Sequence, residues 1–212
     1  KKLIMLFNLP AQILVLLIPS LMFALSFHEF SHAWMAKKCG DNTAANLGRL
    51  SLNPMAHLDP IGSIMILFVG FGWAKPVPVD SSYLNNPRTD MMKIAAAGPI
   101  SNLFLAFIAG LIFRISGIID LNLDYLLFYF IQINVSLAVF NMIPISPLDG
   151  AQIFTGYLMR SNPDLAMKIQ AYGPQVLFGL ILFGYITGIS IIWLFISPIV
   201  KVFMYIFAGI SI

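Results

Sequence analysis

Long apolar segments dominate this sequence and restrict it to folds that span a lipid bilayer. A helix crosses the hydrocarbon core with about 20 apolar residues, and four segments reach that length: residues 9–35, 92–115, 123–145 and 174–212. The last segment is interrupted around Gly184, Gly188 and Ser190, which predicts either two short spans or one span and a surface helix. Only 10% of the residues are charged, too few for the surface of a water-soluble domain. We therefore predict an all-α polytopic membrane protein with about five transmembrane helices, in a range of about four to six.

Three stretches between the first two spans have other patterns. Residues 61–73 form a short apolar run broken by glycines, which predicts a re-entrant or interfacial segment instead of a span. Residues 43–60 include LGRLSLNP, whose alternation and turn residues predict a small β-hairpin. Residues 74–90 are rich in Pro and Asn and are predicted to be a loop.

His28, Glu29 and His32 belong to the pentapeptide HEFSH, an HExxH pattern. Histidines four residues apart share one helix face, so both imidazoles can bind the same metal ion. Glu29 lies about 100° around the helix, where its carboxylate can approach a water on the metal without binding the metal itself. The chain has three histidines and a single glutamate, so this pattern is rarely met by chance. The alternative is a polar helix end packed against other helices, but ionisable groups inside a span are costly and usually functional.

A catalytic zinc site needs a third protein ligand and an open position for water. The sequence has no second glutamate, so the third ligand is an aspartate or His57. Asp149 is favoured because it ends an apolar span in NMIPISPLDG, where prolines break the helix and let a carboxylate turn inward. A helix cap or a turn is the alternative role for Asp149.

Two long motifs in this order resemble a known family. HEFSH followed by N-x-x-P-x-x-x-x-D-G, from Asn141 to Gly150, is similar to the metal motifs of the site-2 proteases. GPISN, from Gly98 to Asn102, looks like the small-residue helix start found between those motifs in the family. The resemblance covers roughly residues 28–150. The sequence contains neither the PDZ insertion nor the CBS domain of some members, so it resembles the minimal bacterial or archaeal form.

The resemblance implies an intramembrane zinc metalloprotease that cleaves transmembrane segments of other proteins. It implies His28, His32 and Asp149 as the ligands of one zinc ion per chain, and Glu29 as the base. The expected organisation is a single membrane-embedded domain over residues 1–212, with a catalytic core at about 9–150 and C-terminal helices at 172–212.

Further residues are predicted around this centre. Asn141 lies within membrane depth and is the candidate donor to an oxyanion, with an interhelical hydrogen bond as the alternative. Asn102 is expected to fasten helices near the site, and Gly98 to allow close helix packing. The predicted hairpin offers a strand edge for an extended substrate, formed by Leu47, Gly48, Arg49, Leu50, Ser51 and Leu52. His57 is either substrate-facing, a support for a ligand, or an ordinary loop histidine.

Charge distribution predicts the orientation. If His28 and Asp149 bind one ion, an even number of crossings must separate them, so 61–73 cannot be a span. In that topology eight Lys and Arg residues lie on the active-site face and three on the other, with Lys201 left out. The positive-inside rule then predicts an active site that opens towards the cytosol of a prokaryotic cell, in a multi-pass protein of the cell membrane.

Other functions fit less well. Di-iron membrane enzymes need more histidines than the chain contains, and a prenyl-processing endopeptidase needs a glutamate as third ligand. An inactive family member or a small transporter that acts as a membrane binding module stays open as an alternative. The expected partners are a transmembrane protein or peptide substrate and the lipid bilayer, without nucleic acid, and the sequence leaves the oligomeric state open.

Overall fold

The computed structural model describes residues 10–69, 72–119 and 123–210. Within these ranges the chain forms eight α-helices: α1 (Ala11–Lys38), α2 (Thr43–Asn46), α3 (Pro60–Val69), α4 (Pro87–Ile119), α5 (Asp124–Asn141), α6 (Asp149–Leu158), α7 (Pro163–Thr187) and α8 (Ile191–Ala208). Five of the described helices, α1, α4, α5, α7 and α8, are long and apolar enough to cross a membrane. The predicted all-α fold is therefore confirmed, and the five candidate spans agree with the predicted number.

The short and broken segments also follow the sequence pattern. Helix α3 has 10 residues, so it is about 15 Å long, half the thickness of the hydrocarbon core. The break in the last apolar segment separates α7 from α8. Gly188 ends α7 in the left-handed conformation with φ of 73°, and the Ser190 side chain accepts a hydrogen bond from the N–H of Trp193 to begin α8. That α3 enters the bilayer stays a prediction.

Helix α4 lies at the centre of the bundle and packs against α1, α5, α6 and α8. A buried apolar cluster joins α4, α5 and α8, and it includes Ala106, Ile131, Val135, Val200 and Met204. Gly110 allows α4 and α8 to approach closely, because a Cβ atom there would lie 2.7 Å from the carbonyl oxygen of Phe207. Helix α7 packs against α6 and α8.

The predicted β-hairpin in residues 43–60 is wrong. Among the described residues no β-strand occurs, and a single isolated bridge pairs Leu58 with Ala74. Gly48 follows α2 with a positive φ of 71°. The Asn53 side chain then accepts the N–H of Met55 and starts a 3₁₀ turn over Pro54–Ala56. Because local turns and side chains satisfy this backbone, the alternating pattern does not lead to a ladder.

Two predicted boundaries also differ. The loop expected over residues 74–90 is shorter, since α4 begins at Pro87 and the Asp90 carboxylate accepts the N–H of Asn86 before it. The span expected over 123–145 ends at Asn141. Asp149 is consequently the first residue of the short helix α6, not the end of a span.

Candidate metal centre

The three predicted ligands meet between α1 and α6. His28 and His32 are buried and lie one turn apart on α1. The Oδ2 of Asp149 lies 3.1 Å from Nε2 of His28 and 3.4 Å from Nε2 of His32. The ligand atoms of the three residues all lie within 4.8 Å of one another, a spacing that one metal ion can bridge.

Both imidazoles use Nδ1 to bind the surrounding protein. Nδ1 of His32 lies 2.7 Å from the backbone carbonyl of Ile94, and because a carbonyl only accepts, this nitrogen carries the hydrogen. Nδ1 of His28 lies 2.6 Å from Oδ1 of Asn102 on α4. The Asn102 Nδ2 donates to the carbonyl of Ala24 at 3.1 Å, so its Oδ1 is the acceptor and His28 is the donor. In its neutral form, each ring therefore turns the lone pair of Nε2 towards the aspartate.

This donor set fits zinc. Nε2 of both imidazoles and Oδ2 of Asp149 converge, while the Nδ1 hydrogens point away towards Asn102 and Ile94. Oδ2 of Asp149 is buried and has no hydrogen-bond partner among the described residues, an arrangement that is costly unless a cation compensates it. Zinc in catalytic sites binds three such ligands and keeps a fourth position for water.

Two glycines make room for the ligands. A Cβ atom at Gly98 on α4 would lie 2.5 Å from Nε2 of His32 and 2.6 Å from Nε2 of His28. At Gly150, a Cβ atom would lie 2.2 Å from the carbonyl oxygen of Met142. The absence of a side chain at these positions lets α4 contact the imidazole rings and lets α6 begin against the end of α5.

The ligands line a cavity of about 500 Å³ that also contains Glu29 and Asn141. Glu29 follows His28 on α1, as the spacing predicts, and it is partly accessible. Asn141 ends α5 and donates through Nδ2 to the carbonyl of Leu137 at 3.0 Å. The amide NH₂ group has two hydrogens, so the second one is available to a group in the cavity.

The residues predicted to bind substrate lie elsewhere. Among the described residues that line the cavity, none belongs to 47–52, and His57 is not one of them. Leu47 and Leu52 are exposed, whereas Arg49 and His57 are buried. The expected strand edge is therefore not brought to the metal ligands.

One side of the cavity is formed by a neighbouring stretch that the sequence did not mark as functional. Its lining residues, here called the wall segment, lie within 72–79: Gly72, Trp73, Ala74, Pro76, Val77 and Val79. Within the sequence KPVPV, Pro76 and Pro78 disfavour helix and keep the backbone extended. That signal was available in the sequence, but it indicated only a loop.

Arg49 and His57 hold the wall segment from behind. The Arg49 guanidinium donates through Nη2 to the carbonyl of Lys75 and, at 3.3 Å, to the carbonyl of Pro76. The N–H of Lys75 donates to the carbonyl of His57 at 2.7 Å. The residues of the GRLSLNPMAH stretch therefore contact the backbone of the segment that faces the ligands.

The far end of the wall segment is held by Asp41, which is fully buried after α1. Its carboxylate accepts the N–H of Asp80 at 2.8 Å and the N–H of Thr43 at 2.8 Å. Hydrogen bonds from the hydroxyl and N–H of Ser82 hold the pKa of the Asp80 carboxyl below its ordinary value. Both ends of the segment are thus attached through side chains to the chain that follows α1.

Comparisons with known proteins agree with this geometry. The model of peptidase family M50 matches residues 16–119 and 112–184. The chain is 36% identical to YwhC of Bacillus subtilis over 192 residues, which is 87% of each protein. It is 27% identical to Rip2 of Mycobacterium tuberculosis over 87% of this chain and 74% of Rip2, and 29% identical to Rip2 of Mycolicibacterium smegmatis over 72% of this chain and 60% of that protein. No solved structure matches the chain significantly.

The names of all three relatives include the words zinc metalloprotease. The family match covers most of the chain, and it includes all three ligands and Glu29. Since one relative is more than a third identical over nearly the whole length, the family is established. The chain belongs to peptidase family M50, the site-2 protease family of metalloproteases.

Proposed function

We propose that this protein is an intramembrane zinc metalloprotease that hydrolyses peptide bonds within transmembrane segments of membrane-anchored proteins. The observation that carries the proposal is the position of the three ligands and Glu29 in one cavity beside the candidate spans α1, α4 and α5. The unit of activity is the single domain over residues 1–212.

His28, His32 and Asp149 would hold one zinc ion, which supplies polarisation of the scissile carbonyl and lowers the pKa of water. Glu29 is the general base that takes a proton from the attacking water and then donates it to the leaving amine. Asn141 donates its free amide hydrogen to the oxyanion that develops on the carbonyl oxygen. These roles use the chain's own groups that line the cavity.

The substrate backbone is proposed to lie along the wall segment. A helical substrate hides its peptide bonds, so it must be extended before attack. Val77 and Val79 line the cavity with their neighbours, and the prolines between and before them keep this chain extended. Residues 47–52 and His57, proposed from the sequence to bind substrate, would then contribute through Arg49 and the His57 carbonyl, which hold the segment.

The proposed location is the cell membrane of a prokaryote, with the cavity open towards the cytosol. Lys37 and Lys38 end α1, close in sequence to the ligands. Two candidate spans, α4 and α5, separate His32 from Asp149, so both ligand-bearing chain segments reach the same membrane face. The excess of Lys and Arg on that face supports a cytosolic location by the positive-inside rule.

The activity is tested with a fluorescent reporter that has one transmembrane segment, reconstituted with the purified protein in liposomes. Glu29→Gln is expected to reduce cleavage by about 10²–10⁴-fold and to keep its zinc, because the base does not bind the metal. The matched control Asp164→Asn changes an exposed carboxylate at the start of α7 and should cleave like the wild type. Equal cleavage by Glu29→Gln and the wild type would reject the role of Glu29.

Zinc content separates a protease from a transporter or another binding module. The wild type is expected to contain about one zinc per chain after purification, and Asp149→Ala to lose it, because a catalytic site needs three protein ligands. Equal zinc in both proteins would reject the proposed ligand set. A zinc-loaded wild type that cleaves no reporter would instead favour an inactive family member.

Orientation is tested by cysteine labelling with a membrane-impermeant maleimide, in a background where the buried Cys39 is replaced by serine. The exposed Tyr83, changed to cysteine, should react in inverted vesicles and not in intact cells. The exposed Tyr125, at the start of α5, should show the reverse pattern. Reaction of position 83 in intact cells would overturn the cytosolic assignment.

A further inference from the structure

Two buried asparagines link the metal site to a third helix. Asn102 on α4 and Asn134 on α5 are both fully buried. Nδ2 of Asn102 donates to Oδ1 of Asn134 at 2.9 Å, while Oδ1 of Asn102 meets Nδ1 of His28. Burying an amide in such apolar surroundings costs free energy, and polar residues within membrane spans usually have a function.

Backbone carbonyls determine which atom donates in each of the hydrogen bonds that link Asn134, Asn102 and His28. Nδ2 of Asn134 lies 2.9 Å from the carbonyl of Phe130, which only accepts, so Oδ1 of Asn134 must be the acceptor for Asn102. The two hydrogens of the Asn102 amide are then used by Asn134 and by the carbonyl of Ala24. Oδ1 of Asn102 consequently has to accept from His28.

We infer that Asn134 is a positioning residue for zinc, acting through Asn102 on His28. With the Ala24 carbonyl and Oδ1 of Asn134 each accepting one of its hydrogens, the Asn102 amide does not rotate to present its NH₂ group to the ring. His28 therefore keeps its hydrogen on Nδ1 and its lone pair on Nε2, which lies 3.1 Å from the Asp149 carboxylate. Two neutral amides achieve this without burying a further charge. The inference rests on the zinc site of the proposed function.

The conservative and disruptive variants of Asn134 follow from the same geometry. In Asn134→Asp, a protonated carboxyl can donate to the Phe130 carbonyl and accept from Asn102, so the direction is kept. In Asn134→Ser, the hydroxyl can bond to the carbonyl four residues earlier, as Ser20, Ser26 and Ser31 do on α1. Serine satisfies its own polar group but is too short to reach Asn102, so this variant removes the link with little other disturbance.

The experiment measures zinc affinity by chelator competition and the visible spectrum of the Co²⁺-substituted protein in detergent. Asn134→Ser is expected to weaken zinc binding about 10-fold and to alter the cobalt bands, because partners of metal-binding histidines typically contribute about 10–100-fold. Asn134→Asp should restore most of the affinity. Ser116→Ala removes another buried polar group at a distance from the ligands and should change neither measurement.

A double-variant cycle distinguishes positioning from general packing. Because Asn134 acts through Asn102, the Asn102→Ala/Asn134→Ser double variant should bind zinc no more weakly than Asn102→Ala alone. Additive losses, or wild-type affinity and spectrum in Asn134→Ser, would overturn the inference while leaving the zinc site intact. If the wild type itself binds no zinc, the proposed function fails and the inference fails with it.

Discussion

Gly98 leaves no space between helix α4 and the imidazole of His32: a Cβ atom at Gly98 would lie 2.5 Å from Nε2. Carbon and nitrogen atoms in contact are normally well over 3 Å apart, and the nearest atoms here belong to the imidazole rings of the two candidate ligands, which are held by Asn102 and Ile94. A methyl group at this position therefore cannot be absorbed by a flexible side-chain end.

Gly98→Ala is expected to weaken zinc binding by about 10-fold or more, since the added methyl displaces the ligand nitrogens. Isothermal or competition titration of the purified protein measures the effect. Gly179→Ala is the matched control, because a Cβ atom there meets nothing within 4 Å. Zinc affinity in Gly98→Ala equal to that of the control would contradict the close packing described above.

Asn141→Leu is expected to lower kcat by about 10²-fold and to leave zinc content unchanged. Leucine has a similar size but cannot donate to an oxyanion, and removal of one such donor typically costs about 10²–10³-fold in rate. Steady-state cleavage of the membrane reporter gives kcat and KM separately. A change confined to KM would show that Asn141 binds the substrate instead of stabilising the transition state.

Arg49→Lys is expected to raise KM for the reporter by about 10-fold with a smaller change in kcat. Lysine lacks the planar fork that donates to the carbonyls of Lys75 and Pro76, so the wall segment is held less firmly. Arg160→Lys, at an exposed position after α6, is the control and should behave as the wild type. An unchanged KM in Arg49→Lys would separate this arginine from substrate binding.

Arg114→Met is expected to lower the thermal midpoint without changing zinc affinity. The Arg114 guanidinium donates to the carbonyls of Phe207, at 2.8 Å, and Ile206, at 2.7 Å, which lie at the end of α8 and accept from no other donor among the described residues. Each charged hydrogen bond of this kind contributes about 1.5–3 kcal/mol at most, and less where water has access. Thermal unfolding in detergent checks the effect, and an unchanged midpoint would mean that lipid or water replaces the arginine.

Local patterns in the sequence are sufficient to predict the candidate spans and the shared helix face of His28 and His32. The length of an apolar segment predicts helices such as α1 and α5 because the thickness of the bilayer sets the number of apolar residues that a spanning helix needs. The four-residue spacing of His28 and His32 predicts that both imidazoles lie on one helix face, because residues four apart are neighbours on a helix surface. Asp149 is predicted as the third ligand by the lack of a second glutamate and by the prolines before it, and the structure brings its Oδ2 to 3.1 Å and 3.4 Å from the two imidazoles. That the three residues bind zinc stays a prediction.

Interactions between distant segments could not be predicted in this way. The hydrogen bond of Asn102 joins residues 74 positions apart, and nothing in the sequence around Asn134 marks it as part of the same chain of bonds. The alternation of LGRLSLNP led to the wrong prediction of a β-hairpin for a related reason. Arg49 is buried and donates to the carbonyls of Lys75 and Pro76 in the wall segment. Its place in the alternating pattern therefore reflects a contact with a distant segment and not a β-strand.

The separation of the ligands along the chain has a consequence for biosynthesis. His28 and His32 enter the membrane with the first span, whereas Asp149 follows the third candidate span, α5. A nascent chain that has inserted only α1 holds both histidines but lacks a complete ligand set. The proposed zinc site is therefore complete only when α1, α4 and α6 have packed together.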